Sequence, residues 1–198
     1  MSRALPAAEL ARARAALERG AVVCVPTETT YGLAVDARVD GALERLLALK
    51  GGRRAPVALI AADLAQARAL ARVWPEAAAR LAAAHWPGPL TVVVPARAGL
   101  PPALLGPGGG VGVRVAGHGW PRALAAAIGA PVTATSANPS GRPPATTVAE
   151  ARAYFGAAVA VYLDGGVAAA RAGSTVVEID EAGAVRVLRA GVLPLPGS

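Results

Sequence analysis

Along this chain apolar residues recur at helical spacing in some segments and form short unbroken runs in others, and the two kinds of segment alternate. Pro6 opens a helical stretch that reaches Arg19, with Leu10, Ala13 and Leu17 on one face and Gly20 as its stop. The run 21–25 then reads as a buried strand. Asp40 is placed to cap a helix whose Leu43, Leu46 and Leu47 form one apolar stripe, and 56–60 reads as the next strand. Asp63 starts a further helix, Pro75 another that reaches His85, and 90–94 is a strong strand. After a Pro- and Gly-rich loop at 99–110 come strand 111–115, helix 121–128, strand 131–135, a helix near 147–154 and strand 159–163. The segments 175–179 and 185–188, joined by a turn at 180–183, predict a hairpin.

This alternation predicts the α/β class. Parallel neighbours need a crossover of a dozen or more residues, so the closing hairpin and the helix-free link between Val94 and Val111 argue against an all-parallel sheet. The expected architecture is a mixed, twisted open sheet with flanking helices. With 198 residues, no internal repeat and no domain-sized linker, the chain is expected to form a single domain over 1–198, with 191–198 as a short tail.

Composition adds exclusions. Hydrophobic residues make up 54% of the chain, but much of that is alanine, which buries little area per residue. The longest uncharged stretch, 123–141, is broken by Gly129, Pro131 and the polar run 133–138, whereas a spanning helix needs about 20 mostly apolar residues. Residues 1–6 lack the apolar core of a signal peptide, so a cytoplasmic location and no membrane partner are expected. The single Cys24 excludes an intramolecular disulfide, and its place in an apolar run makes it a small buried hydrophobe rather than a nucleophile. Two histidines without cysteine partners give no zinc spacing. The net charge of +7 favours anionic partners such as ATP, pyrophosphate or RNA, although arginines spread over several helices also read as solvated faces.

Polar segments follow strands at 27–31 and 136–140 and precede one at 50–54, so a shared cleft is expected where these loops converge. Ser136-Ala137-Asn138-Pro139-Ser140-Gly141 offers hydroxyls, an amide and free backbone N–H groups, which suits phosphate oxygens and equally suits an ordinary turn. Neither standard nucleotide-loop fingerprint is present, no Ser-His-Asp triad is readable, and 106–112 reads as a flexible loop or lid. Lys50 is the only lysine beside nineteen arginines. An ammonium is compact and rotatable where a guanidinium is a planar fork, so Lys50 marks a position that needs an ammonium. Lys50→Ala is expected to abolish chemistry and leave the fold intact, as for a basic residue lining a cleft.

Pro26-Thr27-Glu28-Thr29-Thr30-Tyr31-Gly32-Leu33, Lys50, Trp86-Pro87-Gly88-Pro89-Leu90-Thr91, Val111-Gly112-Val113-Arg114, Thr135-Ser136-Ala137-Asn138-Pro139-Ser140-Gly141, Ser174-Thr175-Val176-Val177 and Leu188-Arg189-Ala190-Gly191 occur in that order. The series resembles the YrdC/TsaC family, the threonylcarbamoyl-AMP synthases, from about residue 21 to 191. The resemblance implies a YrdC-like fold and a nucleotidyltransferase that joins L-threonine, bicarbonate or CO2, and ATP with Mg2+ on its phosphates. The product is threonylcarbamoyl-AMP, pyrophosphate leaves, and the product feeds threonylcarbamoyladenosine modification of tRNA, with tRNA or the transfer machinery as a further partner.

Carried over by motif, Lys50 and Arg53 are the implied catalytic residues, and Thr29, Tyr31, Arg114, Ser136, Asn138 and Arg189 the implied substrate contacts, with no metal-ligating residue. Negative charge accumulates on every reactant, so positioning and neutralisation supply the catalysis. Arg114 suits the threonine carboxylate, which a guanidinium grips bidentately, and the Ser136 hydroxyl and Asn138 amide suit phosphate or adenosine. The family reads Lys-x-Arg-Pro, then a few polar residues and Pro-Leu. This chain reads Lys50-Gly51-Gly52-Arg53-Arg54-Ala55-Pro56-Val57, so Arg53 takes the displaced role, Arg54 is its substitute, and the two flexible glycines either let Arg53 swing into place or signal a loosened site. Ile60 stands where some members have histidine, and Ala34 replaces the second glycine after Tyr31. The altered 50–56 segment favours the alternative of a non-catalytic RNA- or nucleotide-binding paralogue. A carbamoyl-transfer module of hydrogenase-maturation proteins fits less well, because its companion domains are absent from the sequence, which resembles the short synthase form.

Overall fold

The computed structural model describes residues 6–52, 55–169 and 172–195. Helix α1 (Ala7–Glu18) turns Ala13, Ala16 and Leu17 inward and delivers the chain to β1 (Val23–Pro26). A four-residue turn returns it antiparallel as β2 (Tyr31–Ala34), with Val23 opposite Ala34 and Pro26 opposite Tyr31. No strand was expected here from sequence, yet β2 begins at Tyr31, the last residue of the polar segment 27–31. Every residue of β2 is buried, so it shows no alternation, and four residues are too few for a run to stand out.

Helix α2 (Ala42–Leu49) buries Ala42, Leu43 and Leu46. Its N-cap is Gly41, at φ 72°, and not Asp40, which instead offers its backbone carbonyl to Arg45 Nη2 at 3.1 Å. Strand β3 (Ala58–Ile60) and α3 (Leu64–Arg68) follow, and here Asp63 does cap, its Oδ1 accepting from Gln66 N at 2.8 Å. Helix α4 (Glu76–His85) leads to β4 (Leu90–Pro95), and β4 pairs antiparallel with β5 (Gly110–Arg114). The glycine-rich run expected as a flexible loop or lid is a turn closed on itself, with Gly106 N bonded to Gly110 O at 2.8 Å and Gly109 N to Gly106 O at 2.9 Å, and its last glycines lie inside β5.

Helix α5 (Gly119–Ala127) begins two residues before the expected start because His118 Nδ1 accepts from Trp120 N. Strand β6 (Val132–Ser136), α6 (Val148–Phe155), a two-residue β7 (Val161–Tyr162) and the hairpin β8 (Thr175–Ile179) and β9 (Val185–Arg189) complete the chain. At α6 Thr147 accepts from Glu150 N while Glu150 accepts from Thr146 N, a reciprocal cap.

The strands form one sheet in the order β7-β1-β2-β6-β3-β5-β4-β8-β9. Strands β7/β1, β3/β5 and β4/β8 run parallel and the other neighbours antiparallel, which is the expected mixed sheet. Leu59 packs into a core with Leu33, Leu46, Val92 and Val177, whereas the adjacent Ile60 packs with Leu17, Val25, Trp120 and Leu124. Successive side chains thus serve opposite faces, and helices cover both. Beyond β9 the backbone is stitched to β8, since Gly191 N and Leu193 N both donate to Thr175 Oγ1, at 3.1 and 3.2 Å. Among the described residues no helix is long and apolar enough to cross a membrane.

Candidate active site

Helix α2 stops at Leu49 because Gly51 and Gly52 take left-handed backbone angles, φ 68° and 73°, and return their N–H groups to Ala48 O and Leu47 O. The two glycines therefore end the helix, and the Arg53 that they were expected to let swing lies outside the described residues. Stopping there aims Lys50 at the end of β6. Its side chain is only 2% exposed, and Nζ donates to Ser136 O at 2.6 Å, Asn138 O at 2.5 Å and Asn138 Oδ1 at 3.3 Å. Three acceptors around one small head explain why an ammonium stands here and not the planar fork of arginine.

The loop that Lys50 grips is also tied to β2. Ala137 N donates to Tyr31 O at 2.8 Å, Tyr31 N to Ala145 O at 2.9 Å and Ala145 N to Ala137 O at 3.1 Å. The Asn138 amide nitrogen donates to Pro139 O at 3.0 Å and Arg142 O at 2.6 Å. Lys50, Ser136 and Asn138 thus converge as expected, but the Asn138 amide faces its own loop rather than an incoming phosphate. Ser136 itself is half-buried.

The β1–β2 turn is the element that joins this cluster to the next. Thr27 Oγ1 donates to Thr30 O at 2.6 Å and accepts from Thr29 N and Thr30 N, both at 3.2 Å, and lies 3.0 Å from Thr29 Oγ1. Tyr31 is fully buried. Its hydroxyl donates to Gly166 O at 2.7 Å, has Asp164 Oδ1 at 3.3 Å, and accepts from Gly165 N at 3.0 Å, so it braces the 164–166 loop from behind the site. Burial pushes the phenol up to about 12 and keeps it neutral.

From the same turn Glu28 reaches Arg114 at the end of β5. Arg114 Nε donates to Gly88 O at 3.0 Å, and its Nη2 lies 2.6 Å from Glu28 Oε1, in an ion pair whose N–H directions leave Nη2 without a hydrogen bond. Glu28 Oε1 also accepts from Gly117 N at 2.8 Å and Oε2 from His118 N at 3.3 Å, which anchors the start of α5. Sequence reading passed over Glu28. The available signal was a carboxylate enclosed by threonines in a turn of a strongly basic chain.

Burial raises the Glu28 pKa, but the Arg114 charge and the Gly117 amide outweigh it and hold the carboxyl below its ordinary value. A folded pKa below the unfolded one contributes stability that is present above the unfolded pKa and lost as pH falls through the folded one. Urea midpoints measured between pH 6 and 3 should therefore drop below about pH 4 in the wild type, with a shallower drop in Glu28→Gln. Parallel profiles would show that this pair is not linked to folding.

A third cluster lies farther along the sheet. Thr91 pairs with Val176 and Val176 with Arg189, and Arg114 sits one step beyond the Val92–Val113 pair, so Arg114, Thr91 and Arg189 line up across β5, β4 and β9. Arg189 Nη2 donates to Ser174 O at 2.8 Å, and Ser174 Oγ is 2.8 Å from Thr91 Oγ1. Arg53, the displaced arginine, and its substitute Arg54 lie outside the described residues. Cys24 is buried, and burial pushes its thiol up to about 12, in keeping with a packing role. Among the described residues no three His, Cys, Asp or Glu side chains converge as a metal site. The arrangement offers positive charge, hydroxyls and ordered loops, which bind and align anions rather than attack them.

The family model Sua5_yciO_yrdC, described as "Telomere recombination", matches residues 15–191. A threonylcarbamoyl-AMP synthase of Halorhodospira halophila is 44% identical over 155 residues, 77% of this chain and 81% of that protein. One of Chromohalobacter salexigens is 45% identical over 160 residues, 79% and 84% respectively. The fold is similar to that of P. abyssi Sua5 complexed with L-threonine, with TM-score 0.90 and 32% identity over 99% of this chain, which spans 58% of that longer one. It is also similar to E. coli YciO, with TM-score 0.86 and 22% identity over 98% of each chain.

Proposed function

This chain belongs to the Sua5/YciO/YrdC family, and from that premise we propose that it forms threonylcarbamoyl-AMP from L-threonine, bicarbonate or CO2, and ATP, releasing pyrophosphate. The observation that carries this reading is the meeting of Lys50 with the Ser136–Asn138 loop, beside the turn that bears Thr29 and Glu28. Relatives 36–45% identical over most of the chain are named as synthases of this compound, which favours the enzyme over a non-catalytic nucleic-acid binder.

In this reading Lys50 acts by holding the Ser136–Arg142 loop in the shape that receives phosphate, and the Ser136 hydroxyl makes the contact. Arg53, Arg114 and Arg189 neutralise charge that builds on the carbamate and on the α-phosphate as pyrophosphate leaves. Thr29 orders the turn beside the amino acid, and Tyr31 braces the 164–166 loop. Mg2+ arrives as the counter-ion of ATP, on the phosphates rather than on a carboxylate cluster of the protein. The cellular role that fits is tRNA modification in the cytoplasm, with the adenylate passed to tRNA or to the transfer machinery.

The test is to incubate the protein with MgATP, labelled bicarbonate and single amino acids and to follow pyrophosphate and the carbamoyl adenylate. Release is expected to depend on both bicarbonate and L-threonine, with serine much weaker, because the carbamate must form before it attacks phosphorus. Equal pyrophosphate release without threonine would sink the synthase reading.

A further inference from the structure

Glu28 stands out as the anionic side chain within a cluster otherwise read as a site for anions. Of the Glu28–Arg114 pair, Glu28 is the member that reaches the open side, with its side chain 26% exposed against 8% for Arg114. Arg114 is held from behind by Gly88 O, and its Nη2 is shut off from solvent. What the cleft offers an incoming molecule at this point is therefore a carboxylate backed by a guanidinium. Among the described residues Glu28 Oε1 is engaged by Arg114 and Gly117 N, whereas Oε2 receives the longer 3.3 Å contact from His118 N, and a carboxylate oxygen accepts more than one donor.

We infer that Glu28 is the residue that receives the α-ammonium of the amino-acid substrate, so that the site selects a free zwitterion. The inference rests on the synthase reading above and adds the identity of the group that recognises nitrogen. A free α-amino acid carries its ammonium and carboxylate two bonds apart, and a purely basic cleft would repel the first while attracting the second. Glu28 supplies the negative sign at the exposed end of the pair, with the buried Arg114 behind it, and is a charge-assisted partner for an N–H donor. A divalent cation suits the place less well. It would face a guanidinium 2.6 Å from the ligating oxygen, and among the described residues no group of three His, Cys, Asp or Glu side chains gathers to hold a metal.

The same contact also favours release in the forward direction. Ammonium and bicarbonate give the carbamate, one water and one proton, the proton passing to solvent, so the nitrogen end changes from positive to negative. Glu28 attracts the substrate and repels the carbamate, and so turns the new anion away from itself and toward the arginines and the nucleotide.

The experiment compares binding of L-threonine, of (2S,3R)-2,3-dihydroxybutyrate, which carries a hydroxyl in place of the ammonium, and of MgATP to the full-length wild type and to Glu28→Gln. Glutamine keeps a carbonyl oxygen for Gly117 N. The wild type is expected to prefer threonine over the hydroxy acid by about tenfold or more. Glu28→Gln is expected to lose that preference, with hydroxy-acid and MgATP affinity little changed. As a check that needs no variant, wild-type affinity for threonine should fall as pH rises past the titration of its amine, while hydroxy-acid affinity stays level.

A Glu28→Gln variant that keeps the wild-type preference overturns the inference, and so does one that loses both ligands equally, which would make Glu28 a support for Arg114. A change in Mg2+ dependence with threonine affinity intact overturns it in favour of a metal contact. Threonine binding without preference over the hydroxy acid sinks the Glu28 role alone. A wild type that neither binds threonine nor releases pyrophosphate sinks the synthase reading first.

Discussion

Replacing Lys50 by alanine is expected to abolish adenylate synthesis and also to destabilise the fold, which departs from what a basic residue lining a cleft would do. Lys50 is 2% exposed, and its ammonium donates to Ser136 O, Asn138 O and Asn138 Oδ1. Removing it strands Asn138 O and Oδ1, while Ser136 O keeps the Asn138 N–H at 3.0 Å, and each buried acceptor left unpaired costs about 1–3 kcal/mol. A total of about 2–6 kcal/mol is expected from the two. The loop that carries Ser136 would then relax, and synthesis should fall by about a hundredfold or more. Lys50→Arg is expected to fail as well, since a planar guanidinium does not fit a cage shaped for one compact head. Urea unfolding and pyrophosphate release measure the two effects separately. Wild-type stability in Lys50→Ala would mean that the cage contributes nothing to folding, and full activity in Lys50→Arg would remove the case for an ammonium.

Gly191→Ala is expected to have the next largest effect. A Cβ at that position would lie 2.4 Å from Ser174 C and Thr175 N and 2.5 Å from Gly173 O, all backbone atoms that cannot rotate away. The chain after β9 would have to leave β8, and the bonds from Gly191 N and Leu193 N to Thr175 Oγ1 would go with it. Overpacking of this kind costs about 3 kcal/mol, the upper end of its usual range, because backbone must move. Arg189 follows, since it lies two residues before Gly191 and its guanidinium is fixed by Ser174 O at 2.8 Å on the segment that the new Cβ would meet. Threonine-dependent pyrophosphate release should therefore fall together with the thermal midpoint. An unchanged midpoint would show that the segment yields without leaving β8.

How legible the site was depends on how far apart its members lie in the chain. Lys50, Ser136, Asn138 and Arg114 could be named from motif order, and the structure does bring Lys50 to Ser136 and Asn138. The partnership of Glu28 with Arg114 could not be read, because nothing in either segment states that the turn after β1 meets the end of β5. The direction of the Asn138 amide, toward Pro139 and Arg142, was equally hidden, since the same amide in an open turn would suit a phosphate.

Local signals decided what the sequence determined by itself. Apolar periodicity placed the helices and most strands, the side chain of Asp63 capped α3 as its position demands, and the closing hairpin excluded an all-parallel sheet. Cys24 was legible as a packing residue because the run around it is apolar on both sides. Tertiary structure alone decided the rest. Strand β2 exists because β1 and β6 flank it, Gly41 rather than Asp40 begins α2, and Gly51 and Gly52 end it. Above all, the one lysine is buried and not open to the cleft. Propensity and periodicity act within a segment, whereas the burial of a charge is set by which distant carbonyls and carboxylates the sheet order brings around it, and that order is a property of the packed whole.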